Sequence, residues 1–147
     1  MATVSELKKQ ALLEKIPEAL IEGLAGLLKE VPLRKGEVLY QENDEAEGIY
    51  FIRSGKVEVA KTTADGWKQR LAVFTANHFF GELSILVQRT HEAEARALED
   101  SSLYLLTKED FERIEKENHE LALGIIKQIA IVTSRNLREM NRRFVNA

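Results

Sequence analysis

Cysteine is absent from this chain of 147 residues. Its absence excludes disulfide bonds and metal sites built on thiolates. Histidine is scarce as well, and His78, His91 and His119 are scattered rather than spaced as metal ligands usually are. The sequence therefore predicts no metal site.

Long apolar runs are missing too, and none approaches the ~20 residues of a membrane-spanning helix. Residues 1–6 lack the basic and apolar regions of a signal peptide. The formal net charge is −3, which disfavours non-specific binding to nucleic acid. We expect a cytoplasmic protein without a membrane partner.

Catalytic motifs are also lacking. The chain has no cysteine nucleophile, no Gly-x-Ser-x-Gly elbow, no P-loop and no His-Glu-x-x-His pair. The sequence predicts no catalytic residues and no cofactor, and a protein that is not an enzyme.

The residues that are present suit one domain over residues 1–147, since 44% are hydrophobic and 31% charged. Residues 5–30 have the apolar spacing of helices, with Ser5 as the N-cap and Pro17 opening a second helix. Pro32 is expected to close this helical region.

Residues 33–107 are rich in β-forming residues, in short segments separated by turn signals. Asp65-Gly66 is typical of a hairpin tip. Many short strands with regular turns predict a mainly β, antiparallel, closed architecture of the jelly-roll type.

A short helix over residues 81–86 is expected to interrupt the strands. Gly81 and Glu82 open it directly after a strand, so free backbone N–H groups could hold an anionic ligand group. Glu82 could accept hydrogen bonds from hydroxyls. The alternative is that Gly81 only permits the turn and that Glu82 only complements the helix dipole.

Residues 108–145 return to helix, with Thr107 as the cap of the first one. The long helix that follows is apolar on nearly every side up to Val132, so it needs partners on more than one face. We expect an exposed face that pairs two chains into a homodimer and that includes some of Leu121, Ile125, Ile129 and Val132. The competing interpretation is that the N-terminal helices cover this face.

Four segments match known landmarks in order: residues 34–39, residues 50–59, the Phe-Gly-Glu-Leu block at 80–83, and the long C-terminal helix. Over residues 15–145 the chain resembles the cyclic-nucleotide-binding domain family. Asn43 and Asn77 stand where that family usually has glycine, and asparagine tolerates the left-handed conformation.

The resemblance implies an antiparallel β-roll of about eight strands, with N-terminal helices and a long C-terminal helix. It implies a regulatory sensor in which cAMP or cGMP in the roll moves the C-terminal helix. Because the chain stops soon after that helix, we expect no DNA binding by this chain.

The resemblance also supplies the candidate ligand-binding residues: Phe80, Gly81, Glu82, Leu83, Arg89, Thr90 and His91. Without an alignment shift, His91 and Glu92 stand where the family has an arginine and a small residue. A shift of two residues would place Arg89 and Thr90 there instead. Two hypotheses therefore stay open: a working sensor, and a degenerate domain that serves as a dimerisation or protein-interaction module.

Overall fold

Two antiparallel sheets of four strands each form a β-roll in the computed structural model. It describes residues 2–87 and 89–146, so Met1, Gln88 and Ala147 lie outside the described residues. In chain order the strands are β1 (Lys29–Leu33), β2 (Val38–Tyr40), β3 (Gly48–Ser54), β4 (Lys56–Thr62), β5 (Lys68–Thr75), β6 (Phe79–Phe80), β7 (Glu94–Ala97) and β8 (Ser101–Thr107).

The strand order is β1-β8-β3-β6 in one sheet and β2-β7-β4-β5 in the other. Alternate side chains of β3 point to opposite faces, as strand geometry requires. Tyr50 and Ile52 face the inside of the roll, whereas Ile49 and Phe51 face the helices, and all four are buried. These findings confirm the predicted eight-stranded antiparallel roll.

Five helices are present among the described residues: α1 (Val4–Leu7), α2 (Glu18–Ala25), α3 (Leu83–Leu86), α4 (Lys108–Glu117) and α5 (His119–Asn146). Pro17 is the N-cap of α2, as expected. The hydroxyl of Thr107 accepts a hydrogen bond of 3.1 Å from the Asp110 N–H, which confirms the predicted cap of α4. No helix in this part of the chain combines the length and the apolar character needed to cross a bilayer.

Several predicted boundaries at the N-terminal end were wrong. The cap of α1 is Thr3 rather than Ser5, since the Thr3 hydroxyl accepts from the Glu6 N–H at 3.1 Å. The roll begins at Lys29, inside the stretch 5–30 that was expected to be helical. Pro32 lies within β1 and is aligned with Ser102 of β8. A proline is tolerated there because β1 is an edge strand.

The long helix buries a different face from the one expected. Leu121, Ile125 and Ile129 are at most 3% exposed. They pack in one cluster with residues of the N-terminal segment, so the competing interpretation holds for this face. The large apolar side chains of α5 that remain exposed among the described residues are Leu123, Ile126, Ile131, Leu137, Met140, Phe144 and Val145.

Candidate functional site

The turn after β6 depends on Gly81, which adopts a φ of +82°. A Cβ at this position would lie 2.8 Å from the carbonyl oxygen of Gly48. Residue 81 therefore has to be glycine for the backbone to pass here. Because a φ of +82° is not helical, Gly81 lies outside the helix that was predicted over 81–86, and α3 begins at Leu83 after the N-cap Glu82.

Asn43 and Asn77 adopt φ values of 76° and 73°. They carry the left-handed turns that the resemblance expects to be formed by glycine, so this prediction is confirmed. Asn43 also ties two loops together, because its N–H donates to the carbonyl of His91 at 2.8 Å.

The start of α3 offers fewer free donors than expected. The N–H groups of Ser84 and Ile85 already donate to the carbonyls of Gly81 and Glu82. The Glu82 side chain makes no capping hydrogen bond to the helix. Burial raises the pKa of this carboxyl, and its own backbone N–H only partly offsets the effect.

A cavity of about 150 Å³ lies between this turn, Tyr40 of β2, Val59 of β4 and the segment before β7. Six of the predicted site residues line it, namely Gly81, Glu82, Leu83, Arg89, Thr90 and His91. Phe80 does not. It is 3% exposed and belongs to the aromatic interior of the roll. The cavity is smaller than the ~300–1,000 Å³ of typical small-molecule sites.

His91 is the most enclosed of these polar side chains, with 9% of its surface exposed. Its ring lies flat on the ring of Tyr40, with 3.4 Å between centroids and 4° between planes. The backbone N–H of His91 donates to the backbone carbonyl of Asp44 at 2.8 Å, whereas the Nε2 of the ring is buried without a hydrogen-bond partner. Burial lowers the pKa of the imidazole, and Asp44 opposes this more weakly. The ring is therefore neutral at pH 7 and adds no positive charge.

Arg89 and Thr90 are on the outer side of the site. Both are exposed, and Thr90 forms an isolated β-bridge with Glu45. The Arg89 guanidinium is 3.5 Å from the Glu92 carboxylate, and both side chains are about two-thirds exposed, at 64% and 65%. An exposed pair of this kind is worth ~0–1 kcal/mol. The guanidinium is thus held only weakly in its present position.

Tyr40 is a site residue that the sequence did not reveal. It contacts Tyr50 and Phe80 at centroid distances of 6.1 and 6.4 Å, and Phe80 stacks on Phe74 at 5.2 Å. Burial raises the pKa of Tyr50 to about 12, and burial also raises the pKa of Tyr40. The phenols stay neutral, and the inside of the roll is filled with aromatic rings.

Comparison with known proteins identifies the class. The profile described as the cyclic nucleotide-binding domain matches residues 30–118, which is more than half of the chain. The chain therefore belongs to the cyclic nucleotide-binding domain family. This confirms the resemblance inferred from the sequence.

Among curated proteins, the chain is 30% identical over 99 residues to the "Cyclic AMP receptor protein" of Thermus thermophilus, covering 65% of this chain and 46% of that protein. It is 27% identical over 103 residues to "Lysophospholipase nte1" of Neurospora crassa, covering 70% of this chain but 7% of that protein. The chain spans less than half the length of these relatives. Domains similar to this chain therefore occur in a receptor and within a much longer protein named as an enzyme.

Among solved structures, the N-terminal domain of a transcriptional regulator from Streptomyces coelicolor has a TM-score of 0.78 at 27% identity, covering 95% of this chain and 94% of that chain. The regulatory subunit of a "cAMP-independent protein kinase A" from Trypanosoma brucei has a TM-score of 0.75 at 22% identity, covering 90% and 46%. The regulatory domain of Toxoplasma gondii PKA, co-crystallised with cAMP, has a TM-score of 0.68 at 22% identity, covering 76% and 42%. The last two likenesses show the fold alone.

Proposed function

We propose that this chain is a non-catalytic regulatory module whose roll no longer holds a cyclic nucleotide and whose long helix pairs two copies of the chain. The observation that carries the first part is the stack of His91 on Tyr40. In the unshifted alignment, His91 takes the place of the arginine that pairs with the cyclic phosphate. The neutral imidazole fills the space beside Tyr40 but provides no positive charge to a phosphate.

Electrostatics supports the same conclusion. Glu92 lines the cavity with an exposed carboxylate. A carboxylate about 4 Å from a phosphodiester would cost about 1 kcal/mol in a water-like dielectric, which suits Glu92 because its side chain is 65% exposed. Since ~1.4 kcal/mol corresponds to a tenfold change in affinity, this repulsion would weaken binding several-fold, in addition to the lack of a cation at His91.

The test is titration calorimetry of the wild-type chain with cAMP and with cGMP. We expect no saturable heat, which means a dissociation constant weaker than about 1 mM. In the double variant His91→Arg with Glu92→Ser, the imidazole no longer covers Tyr40 and a guanidinium faces the cavity, so binding should become measurable. Submillimolar binding by the wild type would overturn the proposal. Absence of binding by the double variant would contradict our account of the cause.

The second candidate is the sensor, and the position of Arg89 favours it. Arg89 lines the cavity, and its contact with Glu92 is weak enough to be exchanged for a phosphate. Ile85 of α3 packs against the cluster that contains Leu121 and Ile125 of α5. Binding at the turn could in this way reach the long helix.

Substitution of Arg89 separates the two candidates. If the wild type binds cAMP or cGMP, Arg89→Ala should weaken binding by roughly ten- to a thousandfold in the sensor. Arg113→Ala is the matched control, because Arg113 is also exposed and pairs with Asp110 in α4, outside the cavity. Binding that survives Arg89→Ala unchanged would exclude the sensor mechanism through Arg89.

The homodimer rests on a regular stripe along α5. Its positions alternate in steps of three and four residues, as in a coiled coil, and all of them are exposed: Leu123, Ile126, Ala130, Thr133, Leu137, Met140 and Phe144. The second half of the stripe belongs to neither of the two buried clusters among the described residues. A second copy of the same helix would cover it by two-fold pairing.

A further inference from the structure

A second cavity, of about 320 Å³, lies where α5 meets the edge of the roll. Its apolar lining includes Phe74 of β5, Phe79 of β6 and Val132 of α5. Its polar groups are His78, in the turn between β5 and β6, and Arg135 and Asn136 of α5. The cavity does not share any lining residue with the His91 site.

The imidazole of His78 lines this cavity and is held by a contact to its Nδ1. The Thr75 N–H donates to its Nδ1 at 3.1 Å, so Nδ1 carries a lone pair and the ring proton is on Nε2. The ring packs edge-on against Phe74, with 6.4 Å between centroids and 83° between planes. Both contacts hold the imidazole in one orientation.

Arg135 provides the positive charge beside this cavity. Within the described residues it makes no ion pair, and no carboxylate lines the cavity. Glu139 lies one turn further along α5, but its carboxylate is 3.7 Å from Arg143. Arg135 therefore leaves one uncompensated positive charge beside the apolar lining.

We propose that this cavity binds a small carboxylate with an apolar body. The carboxylate would accept from the Arg135 guanidinium, with His78 Nε2–H and the Asn136 amide as further donors. Its apolar body would lie against Phe74, Phe79 and Val132. One uncompensated cation matches a monoanion better than a doubly charged phosphate group.

Such a ligand would join α5 to the roll, because its donors come from both. Arg135 is also compatible with pairing of the long helices, since it lies about 160° around the helix from Leu137. The site is independent of the nucleotide cavity, so it does not depend on the function proposed above.

The test is an NMR titration of the ¹⁵N-labelled full chain with 3-phenylpropionate, and with its neutral analogue 3-phenylpropionamide. We expect the acid to bind at least about tenfold more tightly than the amide. The amide signals that move should be those of His78, Phe74, Val132 and Asn136. An excess of cAMP should not displace the acid.

Variants sharpen the test. Arg135→Gln should weaken binding of the acid about tenfold and leave the amide unchanged. His78→Phe keeps the ring against Phe74, loses the donor, and should weaken binding several-fold. Arg138→Gln is the matched control, because Arg138 is exposed on the same helix and does not line this cavity. Its affinity should match the wild type.

Three results would overturn the proposal. The first is equal affinity of the wild type for the acid and for the amide. The second is an equal loss of affinity for the acid in the Arg135→Gln and Arg138→Gln variants. The third is the absence of localised shifts up to about 10 mM acid, an affinity too weak for a specific site. None of them bears on binding of cAMP at His91, which the calorimetry decides separately.

Discussion

Replacing Leu137 with glutamate should separate the two chains of the proposed dimer. Leu137 is 56% exposed and lies in the middle of the stripe along α5. Full burial of a leucine is worth about 1.5–3 kcal/mol, so covering its exposed half in both chains gives roughly 2–3 kcal/mol per dimer. Two carboxylates brought together add repulsion. We expect dissociation to become at least about thirtyfold easier.

The assay is sedimentation equilibrium over a range of micromolar concentrations. The wild type should approach twice the chain mass of 16.7 kDa, and Leu137→Glu should sediment as a single chain at the same concentrations. Ile131→Glu is the matched control, since Ile131 is 46% exposed but lies about 100° around the helix from Ala130 of the stripe. It should remain dimeric.

A wild-type mass of one chain would refute the reasoning, as would equal dissociation in the two variants. Ile129→Glu, which the sequence alone would suggest as the test, is unsuitable. Ile129 is 3% exposed in the cluster with the N-terminal segment. A charge there would destabilise each chain whether or not it dimerises.

Three further predictions concern stability and are read from urea unfolding. Gly81→Ala and Gly66→Ala both place an alanine at a positive φ, but only the new Cβ at residue 81 meets a backbone oxygen. Gly81→Ala should therefore lower the free energy of unfolding by about 1–3 kcal/mol more than Gly66→Ala, and equal losses of stability would contradict this. Thr107→Ala should cost about 1 kcal/mol and Thr107→Ser much less, and equal effects would exclude the cap as the cause. Burial lowers the pKa of His91 below that in the unfolded chain. The contribution of the neutral imidazole to the free energy of unfolding should therefore be fully present above about pH 6.5 and should be lost as the pH falls below this value. His91→Phe should flatten that slope, and an unchanged slope would assign it to other groups.

Local signals were sufficient for most of the fold. Asp65-Gly66 forms the predicted hairpin tip, with Gly66 at a φ of +85°, and the turns at Asn43 and Asn77 follow from the tolerance of asparagine for this conformation. Strand β1 was missed because its pairing with β8 joins residues far apart in the sequence. The apolar residues just before it continue the helical spacing. A short stretch of sequence around residue 29 does not include β8, and pairing with β8 is what makes this segment a strand rather than a helix.

The buried face of α5 was misassigned for a similar reason. Spacing along a helix shows that two faces are apolar, but it does not show which face the rest of the chain covers. The segment between α1 and α2 supplies Leu12, Leu13 and Ile16 to the cluster around Ile125. These residues have a helical apolar pattern, yet they lie in turns, so their contribution was visible only in three dimensions.

For the site, the sequence located the turn at Gly81 and six of the residues that line the cavity, but it did not reveal Tyr40. Tyr40 reaches His91 because β2 pairs with β7, where Tyr40 is aligned with Ala95. Ala95 is fully buried and small, which leaves room for the phenol inside the roll. In the proposed degenerate site, lack of charge and lack of space would oppose a cyclic phosphate independently, and single variants can distinguish these two causes. Glu92→Ser alone removes the repulsion but leaves the imidazole on Tyr40, so it should not create binding. If this single variant binds cAMP, repulsion was the whole obstacle, and the stack of His91 on Tyr40 does not exclude the ligand.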